Sequence, residues 1–107
     1  MKPENESNSR EIREGIILNY QSEVIKHERI VSTLVDGEIV MLDAENDSYL
    51  ALNSVGTYIW EFLKETRKIN EICDAVMNEF EVERERCEKE ILGFIGKLYT
   101  ENLVIVK

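Results

Sequence analysis

The chain of 107 residues has little of what catalytic and metal sites are built from. It holds one histidine, His27, and two cysteines, Cys73 and Cys87, which form no CxxC motif. A structural zinc draws four ligands and a catalytic base needs a positioned partner, so neither site can be assembled from this set. His27, between Lys26 and Glu28, reads as a solvated surface residue, and a Cys73–Cys87 disulfide is disfavoured in a reducing compartment. The glycines at 15, 37, 56, 93 and 96 form neither GxGxxG nor a P-loop, so no nucleotide cradle is signalled. Ser32, Ser48 and Ser54 lack a GxSxG setting. The expectation is a protein that is not an enzyme and has no catalytic residues, cofactor or metal. No apolar run approaches twenty residues and no signal-peptide core is present, which points to a soluble, cytoplasmic chain with no membrane association.

Positive charge is also scarce. The formal net charge is -9, from 13 basic and 22 acidic side chains. Residues 1–15 carry 3 basic and 4 acidic groups, 16–52 carry 2 and 7, and 53–107 carry 8 and 11. Every segment is therefore net acidic. Binding to nucleic acid rests on neutralising phosphates with Lys and Arg, and this balance argues against it. An anionic membrane surface is disfavoured for the same reason.

The 43 per cent of apolar residues is enough for one modest core. Residues 1–15 are polar, hold the only proline, Pro3, and read as a disordered tail ahead of a single domain at 16–107. Ile16–Tyr20 reads as a short added strand or an extended lead-in. Ile30–Val35 and Glu38–Leu42 flank Asp36-Gly37, a strong hairpin signal because Gly tolerates the positive φ of a tight turn. A second turn at Asp43–Asp47 leads into Tyr49–Leu52, completing a three-stranded antiparallel meander. Asn53 is suited to capping a helix, and Val55, Ile59, Phe62 and Leu63 then recur at helical spacing, with Trp60 broadening the stripe. A second helix is predicted over Ile69–Phe80. A third opens in the charged turn Glu83–Arg86, carries Cys87, Ile91, Phe94 and Leu98 as its core stripe, and ends near Asn102. Leu103–Val106 reads as a terminal strand. The fold class is α+β, winged helix-turn-helix-like, with a three-stranded antiparallel sheet followed by three helices.

Two features remain unabsorbed by a core. Tyr49–Leu52 is uncharged and, at the edge of a meander, would be poorly protected against further strands. The third helix carries a second apolar row, Leu92, Ile95 and Tyr99. A strand edge beside an apolar helix row is what peptide capture by strand addition requires. The bland alternative is that the extra apolar groups complete the core or a dimer interface. Gly56 is read as clearing space for the Trp60 indole or a strand. Gly93 and Gly96 are read as close helix packing, or as an opening for another backbone.

The stretches DGEIVMLD, SYLALNSVGTYIWEFL, EICDAVMNEFEV and CEKEILGFIGKLYTENLV resemble the PqqD-like family, the recognition elements for ribosomally made, modified peptides. Glu38, Leu42-Asp43, Tyr49, Leu52-Asn53, Gly56 and Trp60 carry the resemblance, with Glu90, Phe94, Leu98 and Leu103 later in the chain. It departs at Asn46-Asp47, Glu90 and Asn102, where the family often has a glycine-containing turn, Asp and Gly. The resemblance implies a non-catalytic adaptor that binds the leader of a precursor peptide and presents it to a modifying enzyme, here a radical SAM enzyme, a peptidase or a cyclase. It implies that the leader adds as a strand along Ser48, Tyr49, Leu50, Ala51 and Leu52. The third helix would form the other wall, with Glu88, Ile91, Leu92, Ile95 and Tyr99. The rival readings are a winged-helix DNA-binding regulator, disfavoured by charge, and a self-associating module that dimerises through the same strand edge.

Overall fold

The structure, a computed structural model, describes residues 18–43, 45 and 47–107. The tail expected at 1–15, the start of the lead-in and positions 44 and 46 of the second turn lie outside the described residues. In chain order the elements are β1 (Glu23–Lys26), β2 (Val31–Val35), β3 (Glu38–Asp43), β4 (Ser48–Ala51), α1 (Ser54–Phe62), β5 (Arg67–Lys68), α2 (Ile69–Glu79), α3 (Arg84–Thr100) and β6 (Val104–Val106).

The expected meander and three helices are present. β2, β3 and β4 pair antiparallel in that order, with Val31 opposite Leu42 and Leu42 opposite Tyr49. Asp36 and Gly37 both take positive φ, 54° and 85°, the geometry of a type I′ hairpin turn. β3 alternates: Ile39, Met41 and Asp43 are buried while Glu38 and Leu42 face out.

A second antiparallel sheet, β5–β1–β6, was not legible in the sequence. The terminal strand pairs with Glu23–Lys26 rather than with the meander, Val24 facing Val106 and Ile25 facing Ile105. Four residues with a charge at each end carry too short an alternation to read as a strand; β6 supplies its partner. Val24, Val104 and Val106 turn inward onto the core.

The core runs from Ile39 and Met41 through Trp60 and Leu63 to Ile72, Ile95 and Leu98. Trp60 is fully enclosed, with the Lys26 ammonium 5.0 Å from its ring centre. Its indole N–H has no hydrogen-bond partner among the described residues. The charged start of α3 is held by ion pairs. Arg84 reaches Asp74 on α2 at 2.7 Å and Glu88 at 3.0 Å, and Arg86 reaches Glu90 at 3.0 Å.

α3 ends in a complete Schellman motif. Leu103 N–H donates to Leu98 O at 2.8 Å and Asn102 N–H to Tyr99 O at 3.0 Å, with Asn102 at φ 64°. The Asn102 carbonyl then accepts from Arg29 Nη2 at 2.9 Å. The same guanidinium pairs through Nη1 with the Asp43 carboxylate, which is buried at the end of β3. Arg29 thus joins the meander to the C-terminus of α3. Removing one partner of a largely buried pair weakens the hold on the other charge, at a cost of about 3 kcal/mol. Arg29→Ala is expected to lower stability by about that amount in urea unfolding, while the exposed Arg86→Ala changes it by less than about 0.5 kcal/mol.

Candidate functional site

The site is built where β4 gives way to α1. Asn53 is extended, and its Oδ1 accepts from Gly56 N–H at 2.9 Å, as the sequence led one to expect of a cap. The ladder to β3 ends one residue earlier, with Leu52 N–H donating to Ile39 O at 2.9 Å. The return bond is replaced by a side chain. The buried Thr57 hydroxyl accepts from Ile39 N–H at 2.9 Å and donates to Leu52 O at 3.4 Å. Bonds of an antiparallel pair alternate along the strand. Since Leu52 points its N–H at β3, Leu50 and Ser48 do likewise, and the backbone groups of Tyr49 and Ala51 face the opposite side. Among the described residues no strand pairs there, and that edge of β4 is open.

Against that edge lies a cleft of about 840 Å³. Leu50, Ala51 and Leu52 form one wall, Val55, Gly56 and Ile59 of α1 the floor, and the opposite side comes from α2, the turn after it and α3. The α3 wall is Arg86, Cys87, Glu90, Ile91, Phe94 and Lys97, spaced as successive turns of one helical face. Its interior is apolar, through Val76, Phe80, Val82, Ile91 and Phe94, and charge sits at the rim in Glu81, Glu83 and the Arg86–Glu90 pair. Gly56 has a specific use. A Cβ there would lie 3.2 Å from Leu52 Cβ and 3.4 Å from Phe94 Cζ, so the glycine admits the Phe94 ring rather than the Trp60 indole.

Of the residues expected at the site, Leu50, Ala51, Leu52 and Ile91 line this cleft. Ser48 and Tyr49 continue the same strand beyond it. The remaining α3 residues lie on a different face. Ile95 and Tyr99 are core residues, at 0% and 8% exposure. Leu92 is half-buried against the core, and Glu88 pairs with Arg84. The chain itself covers this side of α3. Asn70 N–H donates to Tyr20 O and Ile69 N–H to Ser22 O, both at 3.0 Å, tying the lead-in to the start of α2. Leu18 Cδ1 stands 3.7 Å from where a Gly96 Cβ would be. The Tyr20 phenol is pushed above its usual pKa by burial first, and then by Glu88 and Cys73. The cleft wall is therefore the row through Glu90 and Phe94, one step around the helix from the expected row. A helix buried on two sides shows two apolar rows, and periodicity does not say which one meets the strand. At Gly93, in line with Glu90 and Lys97, a Cβ would meet nothing within 4 Å, so close packing does not explain that glycine.

His27 is a turn residue rather than a free surface group. Its Nδ1 accepts from the Arg29 backbone N–H at 3.3 Å, and its own backbone N–H donates to Leu103 O at 2.9 Å. No cluster of three His, Cys, Asp or Glu suited to a metal occurs among the described residues. No described helix is long and apolar enough to cross a membrane. Cys73 and Cys87 are free and buried, with Cys87 Sγ donating to Cys73 O at 3.9 Å. Burial, and then the neighbouring Cys87, push the Cys73 thiol up to about 11.

The comparisons with known proteins fall on this geometry. The fold is a three-stranded meander leading into three helices, with an open strand edge facing the last of them. The sequence profile described as "Coenzyme PQQ synthesis protein D (PqqD)" matches residues 38–104, and the chain belongs to that family. The match runs from the start of β3 to the first residue of β6 and so includes every described element of the cleft. Among solved structures, the chain is similar to "TbiB1 in Complex with the TbiA(beta) Leader Peptide". That match has 31% identity and a TM-score of 0.69, covering 75% of this chain and 93% of the other. It is also similar in fold to "Lasso peptide synthetase B1 complexed with the leader peptide". Here identity is 22% and the TM-score 0.68, covering 77% and 96%. No curated protein sequence matches.

Two outcomes are expected. Ile95→Asp buries an unpaired carboxylate and abolishes the cooperative thermal transition in circular dichroism, whereas Phe94→Ala, at the half-buried cleft wall, keeps one. A thiol raised in the folded state lends stability that is intact below its unfolded pKa and is lost as pH climbs through the folded value. Stability is therefore expected to fall as pH rises from 9.0 towards about 11, with a shallower slope in Cys73→Ala, read from urea midpoints.

Proposed function

We propose that this protein binds the leader segment of a ribosomally synthesised precursor peptide as an added strand along β4 and presents it to a modifying enzyme. The observation that supports this most is the open, uncharged edge of Tyr49 and Ala51 beside an apolar cleft. Main-chain bonds at such an edge give affinity, and side-chain pockets alongside give selectivity. A leader strand pairing there sends alternate side chains into the space between β4 and α3, towards Phe94 and Ile91. The two similar structures hold leader peptides, which favours the same class of ligand here.

The protein acts in the cytoplasm as a tether, with no chemistry of its own. Holding the leader raises the effective concentration of the attached core peptide at the enzyme, whose class is a radical SAM enzyme, a peptidase or a cyclase. DNA binding finds no support in the surface. α2 carries no Lys or Arg, and Arg84 and Arg86 on α3 are engaged by carboxylates.

The test is a titration with fluorescein-labelled synthetic leader peptides, drawn from any short open reading frames found next to the gene, followed by anisotropy. Ala51→Pro removes a donor from the open side of β4 and leaves the β3 ladder intact. Phe94→Ala empties the opposite wall. Each is expected to weaken binding about tenfold or more with the fold retained. Unchanged affinity in both would remove β4 and α3 as the site. Wild-type chains that pair with one another and ignore the leader would instead establish the self-association reading.

A further inference from the structure

The charges of the cleft are sorted along its length. β4 runs opposite in direction to α3, as contacts at its two ends show. Its first residue, Ser48, pairs with Asp43, and Arg29 holds Asp43 together with the Asn102 carbonyl at the end of α3. At its other end β4 passes through Leu52 into α1, where Gly56 stands against the Phe94 ring, about two turns back along α3. Glu81 and Glu83, on the turn into α3, therefore mark the end of the cleft beyond Leu52, and Lys97 marks the end where β4 begins. All three are exposed, and none is ion-paired among the described residues. Between them Arg86 and Glu90 neutralise each other at 3.0 Å. One wall thus carries negative charge at one end, apolar Ile91 and Phe94 in the middle, and positive charge at the other.

We infer that the cleft selects its leader by charge order: a basic residue, then alternate apolar residues, then an acidic residue, read from the N-terminus, with Lys97 receiving the acid. The inference rests on the leader-binding reading. The direction follows from the sheet. β2, β3 and β4 pair antiparallel throughout, and antiparallel pairing is the more stable per residue, so an added strand runs opposite to β4 and hence in the direction of α3. Its N-terminal part then lies against Glu81 and Glu83 and its C-terminal part against Lys97. A helix rises about 1.5 Å and an extended strand about 3.4 Å per residue, so Glu83 to Lys97 corresponds to about six leader residues. Every second side chain between the two charges turns towards Ile91 and Phe94. Charges at the margin of an apolar site contribute selectivity and association rate. Lys97 in the last turn of α3 also suits the helix dipole, but that role is indifferent to the sequence of a bound peptide.

The experiment uses the full chain and the fluorescein-labelled leader peptide, among those from neighbouring reading frames, that binds the wild type most tightly. A second peptide replaces the acidic residue after its apolar positions with lysine, and a third replaces the basic residue before them with glutamate. Affinities are read by anisotropy at low and high salt for wild type, Lys97→Glu and Glu81→Lys, with circular dichroism to show that both variants fold. Lys97→Glu is expected to weaken the unaltered leader about fivefold and to bind the lysine-substituted peptide better than wild type does. Glu81→Lys is expected to do the same towards the glutamate-substituted peptide. Both differences shrink in high salt. The altered peptides also test the wild-type protein directly, with no change to its fold. A tight-binding leader that lacks the acid, or unchanged affinity in Lys97→Glu at low salt, would overturn the charge order and leave leader binding standing. Rescue of Lys97→Glu by a lysine placed before the apolar positions would reverse the strand and overturn the inference. Failure of every leader peptide to bind the wild type would overturn both readings together.

Discussion

One guanidinium holds together parts of the chain that share nothing in sequence. Arg29 lies between β1 and β2, Asp43 closes β3 and Asn102 closes α3, and all three meet at Arg29. The constraint is directional, because the planar fork offers its two donors at a fixed angle. With one taken by a carboxylate of the meander and the other by the last carbonyl of the helix motif, the sheet cannot rotate freely over α3. The lock fixes the end of β3, the strand that carries β4, against the C-terminus of α3, the helix that forms the far wall of the cleft.

The cleft also depends on how β4 is ended. A strand that simply continued would keep its ladder and draw the chain away from α3. Instead the Thr57 hydroxyl takes over the last pair of backbone groups, Asn53 caps the new helix and Gly56 yields space to Phe94. These residues fall within one turn of helix. Buried backbone groups stay satisfied while the chain changes from sheet to helix, which lets the open edge finish beside an apolar wall.

Much of this was legible in the sequence. Asp36-Gly37 named the hairpin, Asn53 the cap and Asn102 the left-handed end of α3, because each is a local backbone requirement with a characteristic residue. Leu50, Ala51 and Leu52 were legible as an uncharged run ahead of a cap, and they lie along the cleft. What could not be read were pairings between distant segments. β1 is four residues long and exists through its long-range partners. The choice between the two apolar rows of α3 was decided by Leu18 and Tyr20, which occupy one of them, and nothing in the helix's own periodicity records that. Arg29 was one charge among many until its partners were placed around it.

The β1–β6 pairing has a consequence for modularity. Lys107 N–H donates to Glu23 O at 2.8 Å, so the start of β1 and the residue after β6 lie side by side. The sheet that joins them contributes no residue to the cleft. A unit whose entry and exit points are neighbours can be spliced into a loop of a larger protein, or its ends joined and reopened elsewhere, with little loop-closure entropy to overcome. The recognition function is in this sense portable, separable from whatever chain carries it.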